Sequence, residues 1–380
     1  MHLFIDASNL RKGGGVTHLE ELLAVLEPNR FAIERITVWA PSETAKRIGL
    51  NDRVHFRTHY LIDRGGLWAQ LFRKYLLDSY IESDVDLLWA PGGVYTGKFR
   101  PYVTMVRNFL PFFKEECDRF KYSTNWLRLR WLRRNQLKSF VNATGLIHLS
   151  QTSLAVMNKI ADFGQTRQEV IPHGLNNKFL IRPRRQREVE EFSDTNPVKL
   201  LYVSTIYNYK HQDNLIKALI SLRRKGLPVV VDFVGAQYIP YMRYLKELVK
   251  RADPNFTYFR FHNEVRYEGI EQFYKEADLF VFLSSCETFG MALLEAMASG
   301  LPVLCSNKSA LPEISGGTCP EVDPEDVNAI AAGLDQMIRN RALREKSAWA
   351  AYERAKTFSW EKCAEATFSF LAECAKTQTK

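Results

Sequence analysis

The chain has 380 residues, 46% hydrophobic and 25% charged, a globular composition with material for two domains and separate cores. No uninterrupted apolar run approaches the roughly 18 residues of a membrane span. Six cysteines (117, 286, 305, 319, 363 and 374) form neither a CxxC pair nor a metal-ligand spacing, which suits reduced thiols on the cytoplasmic side. The net charge of +9, from 52 basic and 43 acidic residues, is unevenly spread.

In chain order, Met1-His2-Leu3-Phe4-Ile5-Asp6 reads as a first strand, without the basic region or cleavage site of a signal peptide. A loop follows with Gly13, Gly14 and Gly15, whose missing side chains permit unusual φ and leave N–H groups to meet a phosphate or an acceptor. A helix is expected over 16–26. Further short buried strands are expected at 36–40, 86–90, 103–106 and 145–149, with helices at 67–79 and 126–140. Pro91-Gly92-Gly93 follows one strand. Arg107-Asn108 follows another, where Arg107 suits an acidic or phosphorylated acceptor and Asn108 a sugar hydroxyl.

Between Arg119 and Asn142 there are seven basic residues and no acidic one. On a helix, Trp126, Leu129, Leu137 and Phe140 share one face, and Arg130, Arg134 and Lys138 form a stripe beside it, with Arg133 intruding on the apolar side. Three readings stay open. The helix lies on an anionic lipid surface, or it packs on a sheet with a solvated basic face, or it binds nucleic acid, for which no supporting motif is present.

Residues 181–196 are polar and charged, run into Pro197 through Thr195-Asn196, and mark the best linker. A second alternation then begins, with strands at 199–203, 228–234, 258–261, 279–283 and 302–305 and a helix start at Asp323-Pro324. The first of these strands leads to Lys210, a point charge able to neutralise a departing diphosphate.

The most informative stretch is Cys286-Glu287-Thr288-Phe289-Gly290-Met291-Ala292-Leu293-Leu294-Glu295-Ala296-Met297-Ala298-Ser299-Gly300. It reads as strand end, tight loop, helix and stop. In a doubly wound sheet, ligands bind where helix N-termini meet the carboxyl ends of strands. Backbone N–H groups at Phe289, Gly290 and Met291 suit a diphosphate there. The carboxylates of Glu287 and Glu295 would be repelled by it, so they suit sugar hydroxyls, Glu295 a ribose diol and Glu287 the transferred sugar. An ordinary βα unit with solvated acids is the alternative.

This stretch resembles the Glu-x7-Glu signature of family-4 retaining glycosyltransferases of the GT-B fold, meeting every fixed position from Glu287 to Gly300, Pro302 and Val303. Weaker landmarks occur in order: Gly13-Gly14-Gly15, Val170-Ile171-Pro172-His173-Gly174, Lys210, Val234-Gly235 and Phe358-Ser359-Trp360. The resemblance implies an α/β protein of two Rossmann-like lobes whose parallel sheets face a central cleft. Residues 1–180 would form the acceptor-side lobe with a crossover helix at 361–380, and 197–360 the nucleotide-sugar lobe. It implies catalytic roles for Glu287 and Lys210, donor contacts from Glu295, Phe289, Gly290, Met291, Thr205 and Gly235, and a first loop at Gly13, Gly14 and Gly15. Thr205 stands where the family usually has an Arg, and Arg107-Asn108 where it often has a His-Asp pair. His173 occupies a position often filled by Asn, and is placed on the acceptor side. Asp84-Val85-Asp86 matches a metal-binding pattern of the other large glycosyltransferase fold, but precedes its strand and reads as punctuation.

The expected function is metal-independent, retaining transfer of a sugar from a nucleotide-diphosphate sugar to a glycan or lipid-linked glycan hydroxyl. The expected setting is bacterial lipopolysaccharide O-antigen or capsule synthesis, with the protein cytoplasmic and peripheral on the inner membrane face through 126–140. No cofactor, metal or nucleic-acid partner is expected. The alternatives are a non-catalytic partner subunit of another transferase, or a GT-B epimerase or phosphorylase.

Overall fold

A computed structural model describes residues 1–11, 13–49, 54–263, 265 and 269–376. Lys12 of the first loop and residues 377–380 of the expected crossover helix lie outside them. The chain forms two compact units, Met1–Gly174 with Ser359–Lys380, and Leu175–Phe358.

The first unit carries seven strands: β1 (His2–Asp6), β2 (Arg35–Trp39), β3 (Val54–Arg57), β4 (Leu87–Ala90), β5 (Tyr102–Val106), β6 (Gly145–His148) and β7 (Arg167–Val170). All pair in parallel in the order β3-β2-β1-β4-β5-β6-β7, in register from Leu3 opposite both Ile36 and Leu87. Strand order reverses between β1 and β4, so the loops after their carboxyl ends splay apart and make a crevice. The central strands are buried on both faces, as parallel sheets require. The helix Gly14–Ala24 contacts the last helix, Trp360–Lys376, which also packs on β4, β5 and β6.

The second unit repeats the plan with β8 (Val198–Val203), β9 (Val229–Val234), β10 (Phe259–His262), β11 (Leu279–Phe282), β12 (Val303–Ser306) and β13 (Glu321–Val322). Their order is β10-β9-β8-β11-β12-β13, all parallel, with the reversal between β8 and β11.

Several expectations differ from the structure. The chain divides after Gly174, and 181–196 belongs to the second unit rather than standing apart as a linker. Its arginines are structural. Arg184 and Arg187 both pair with Asp278 at the entry to β11, and Asp278 also accepts the Lys199 N–H at 2.9 Å. The helix expected at 67–79 is broken into Gly66–Leu71, a π-helical turn Phe72–Leu76 and a 3-10 turn Leu77–Tyr80. The helix expected to start at Asp323-Pro324 begins at Val327, because Asp326 is the cap, accepting from the N–H groups of Asn328 and Ala329. Among the described residues no helix is long and apolar enough to cross a membrane.

The Asp278 side chain is only 13% exposed and holds two guanidinium groups. Removing it takes the acceptor from the Lys199 N–H and the carboxylate from two partly exposed guanidinium groups, so Asp278→Ala is expected to destabilise the chain by roughly 1–2 kcal/mol in urea denaturation. A loss within a few tenths of a kcal/mol would show the cluster to be solvated instead.

Candidate functional site

In the second unit, β8 and β11 leave the sheet side by side at its switch point. The apolar run of β8 ends at Val203, and the chain turns through Ser204–Tyr209 into a short 3-10 turn, Asn208–Lys210. The loop after β11 runs to Gly290 and starts the helix Met291–Ala298. The two loops bring Lys210 and Glu287 together: the ammonium of Lys210 is ion-paired with Oε1 of Glu287, the side chains 9% and 17% exposed. The same ammonium lies 5.0 Å from the Tyr209 ring and 5.1 Å from the Phe282 ring, a largely dry and π-rich setting.

Long-range hydrogen bonds hold this contact. The buried Tyr202 hydroxyl, on β8, donates to the Lys210 carbonyl at 2.5 Å and accepts the Leu283 N–H at 3.1 Å. Burial pushes that phenol well above its usual pKa, so it keeps its proton. The Ser285 N–H donates to the Tyr209 carbonyl at 3.0 Å, and His211 shares a hydrogen bond with the Ser285 hydroxyl at 3.0 Å. The Glu287 N–H donates to Ser309 Oγ at 2.9 Å.

Gly290 caps the helix Met291–Ala298 at φ +104, and a Cβ there would meet Leu311 at 2.7 Å. Both facts select glycine. Among the described residues no side chain caps this helix, so its positive dipole end faces the loop as a place suited to an anion. Phe289 is buried and packs edge-on against Phe358 at 5.7 Å, a support rather than an exposed contact. Met291 is half-buried at the first turn.

Glu295, one turn on, is buried and accepts a hydrogen bond from the Tyr274 hydroxyl at 3.0 Å. Burial raises its pKa to about 7, against the lowering effects of Tyr274 and the Lys178 ammonium. Gly235, at the end of β9 with φ +144, lies so close to the Ser204 carbonyl that a Cβ would come within 2.2 Å of its oxygen. Thr205 is exposed in the same loop, its carbonyl accepting from Gln212 at 3.3 Å.

In the first unit, Gly13 and Gly14 are exposed where the helix Gly14–Ala24 begins, and a Cβ on Gly15 would sit 3.3 Å from the Arg107 guanidinium. Arg107 follows β5, and burial lowers its pKa to about 10. Asn108 is exposed, but its side-chain oxygen accepts the Leu110 N–H at 3.0 Å and so closes a local turn. His173 is buried against the rings of His18 and Trp360, at 4.6 and 5.8 Å. Burial first, and Arg107 next, push its pKa well below 6.5, so it is a neutral core imidazole. Asp86 accepts the His2 N–H at 2.7 Å, and Asp84 lies 3.2 Å from the His2 ring and 3.8 Å from Arg35, at the start of the strands.

The residues that sequence reasoning missed are Tyr202, His211, Tyr274 and Ser285. Each acts through a partner distant in the chain, and none carries a local spacing that announces it.

Two parallel, doubly wound sheets of this kind make the GT-B fold, and residues 183–354 match the family described as glycosyl transferases group 1. That segment is less than half of the chain, and through it the chain is similar to the glycosyl transferases of this group. Similar proteins include O-antigen chain mannosyltransferase B of Escherichia coli, 38% identical over 125 residues, which is 33% of this chain and 32% of the relative. A glycogen synthase of Mycobacterium tuberculosis is 33% identical over 181 residues, 46% of this chain and 42% of that one. The chain thus spans about a third and about two fifths of these two curated relatives. Among solved structures, Anabaena HepE in complex with UDP and glucose aligns with a TM-score of 0.70 at 20% identity, over 98% of this chain and 99% of that chain.

The buried Glu295 carries a pH signature. Between about pH 4.5 and 7 the folded chain holds a proton that the unfolded chain has lost, so this group's contribution to stability falls as pH rises through that window. Glu295→Gln keeps an acceptor for Tyr274 and removes the charge. It should be more stable than wild type by up to roughly 3 kcal/mol near pH 8, and equal to it near pH 4.5. Paired denaturation curves at the two pH values test this; a pH-independent difference would contradict it.

Proposed function

We propose that the chain transfers a sugar, with retention, from a nucleotide-diphosphate sugar to a hydroxyl of a glycan or lipid-linked glycan. The observation that carries this reading is the Lys210–Glu287 contact at the carboxyl ends of β8 and β11, beside an uncapped helix N-terminus. The donor's diphosphate takes over the Lys210 ammonium and the helix dipole, which releases Glu287 to accept hydroxyls of the sugar. Glu295 accepts from the ribose. As the bond between C1 and the phosphate oxygen breaks, the acceptor oxygen bonds to C1 from the face the phosphate leaves, and the phosphate takes the acceptor's proton. Neither a side-chain base nor a metal on the diphosphate is needed in this scheme. The position of Thr205 leaves Lys210 without the Arg that the resemblance leads one to expect, so it bears more of the charge.

Lys210→Ala is expected to lower kcat by about 100-fold or more, since its charge acts where negative charge develops. Glu287→Ala should reduce transfer more than nucleotide affinity, and Glu295→Ala should weaken donor binding. Wild-type turnover in all three variants would contradict these residue roles, whereas no turnover by the wild-type chain with any donor would favour the partner-subunit reading.

Surface-polysaccharide synthesis is the proposed setting, supported by the O-antigen mannosyltransferase among the relatives. Peripheral membrane contact belongs to the same proposal. The helix Thr124–Val141 exposes Leu127 (63%) and Trp131 (52%) on the side that carries Arg130, Arg134 and Lys138. At about 1 kcal/mol for each basic residue near an anionic surface, reversing all three to Glu should cut binding to phosphatidylserine-containing vesicles by 100-fold or more. Unchanged vesicle sedimentation would remove the membrane contact and leave the transferase reading intact.

A further inference from the structure

A second constellation lies in the first unit, away from every residue assigned to the donor. His18 comes from the helix Gly14–Ala24, His173 from the segment after β7, and Cys363 from the helix Trp360–Lys376. Each offers one ligand atom, and the three atoms lie within 4.8 Å of one another. All three residues are buried, at 2%, 5% and 3% exposure. Two indoles wall the group, Trp89 at 6.1 Å and Trp360 at 5.8 Å from the His18 ring. Among the described residues, Nδ1 of His18 and the indole nitrogens of Trp89 and Trp360 are buried and make no hydrogen bond. Leaving one such group unsatisfied costs about 1–3 kcal/mol, so three on the neighbouring rings of His18, Trp89 and Trp360 indicate that something polar belongs there.

The donor set selects among occupants. Burial and the nearby Arg107 keep both imidazoles neutral, the form that binds a metal. Burial also pushes the Cys363 thiol up to about 12, so it becomes a thiolate only when a cation takes its proton's place. Two imidazoles and one thiolate, with no carboxylate, suit a borderline-soft ion and not calcium or magnesium.

We propose that His18, His173 and Cys363 form a structural site for a zinc-type divalent ion. The ion bonds to the Cys363 sulfur as the S–H proton leaves to solvent, with no change of oxidation state. Tetrahedral zinc ligands stand roughly 3.3–3.6 Å apart, so the three atoms draw inward by about 1 Å, a movement within reach of side-chain rotation. A water in the fourth position gives the indole N–H groups an acceptor. The ion ties the helix after the glycine loop to the last helix and to the exit of β7. The charge of the thiolate offsets part of the ion's repulsion from Arg107.

The test uses the full chain, stripped with a chelator and titrated with Co²⁺. One Co²⁺ per chain is expected, with a thiolate-to-cobalt charge-transfer absorption that Zn²⁺ abolishes. Cys363→Ser should lose that band, and Cys363→Ser and His18→Gln should each bind Co²⁺ at least 10-fold more weakly while keeping the wild-type circular dichroism. Absence of the band overturns the site, as does a band that survives in Cys363→Ser, which would point to Cys305 or Cys319. Should both variants fail to fold, the wild-type Tm decides: it rises with equimolar Zn²⁺ if the site exists, and stays fixed if ordered water fills the place.

Discussion

The pairing of Lys210 with Glu287 is the interaction on which the second unit's site depends. A buried ammonium and a partly buried carboxylate are each costly alone, and the pair persists because the loops around it are fixed from both sides. One phenol does much of that fixing. Tyr202, inside β8, reaches the carbonyl of Lys210 and the N–H of Leu283 at once, so the loops after β8 and β11 cannot move independently. Under the proposed reaction the arrangement has a consequence: the cation is satisfied by its own acid without ligand, and a diphosphate would exchange partners with Glu287 instead of creating a contact from nothing.

The remaining acid works under the opposite condition. Glu295 has a phenol rather than a cation as its direct partner, and burial holds its pKa near neutrality. Two carboxylates eight residues apart therefore sit in different electrostatic states, one neutralised by an ammonium and one poised to lose its proton near pH 7. The difference arises from where the helix Met291–Ala298 turns them, Glu287 onto the loop beside Lys210 and Glu295 inward against Tyr274. Gly290 makes this possible, since its backbone conformation and its contact with Leu311 leave no room for another residue.

Much of the second unit's site was legible in sequence because its signals are local. A β-branched and aromatic run, a glycine, a set of helix formers and a terminal Gly300 spell strand, loop and helix within a few dozen residues, and the two acids take their places from that spelling. Lys210 was legible for the same reason. Tyr202 and Tyr274 were not, because a buried tyrosine reads as core until its distant acceptor is known. The edge strands β3 and β7 were missed because Val54–Arg57 and Arg167–Val170 are largely polar and lie at the sheet's rim, with no apolar run to mark them. The polar stretch 181–196 resembled a linker because pairing of Arg184 and Arg187 with an aspartate some ninety residues away leaves no trace in local composition.

The measurement that bears most directly on this account is calorimetric titration of the wild-type chain with nucleoside monophosphates, nucleoside diphosphates and diphosphate sugars, without acceptor or added divalent ion. A cation and a helix N-terminus poised for a diphosphate predict that one nucleotide-diphosphate sugar binds, that its sugar is slowly released to water, and that the matching monophosphate binds at least 10-fold more weakly. Equal affinity for mono- and diphosphate, or no binding by any diphosphate sugar, would contradict the role given to Lys210 and Glu287.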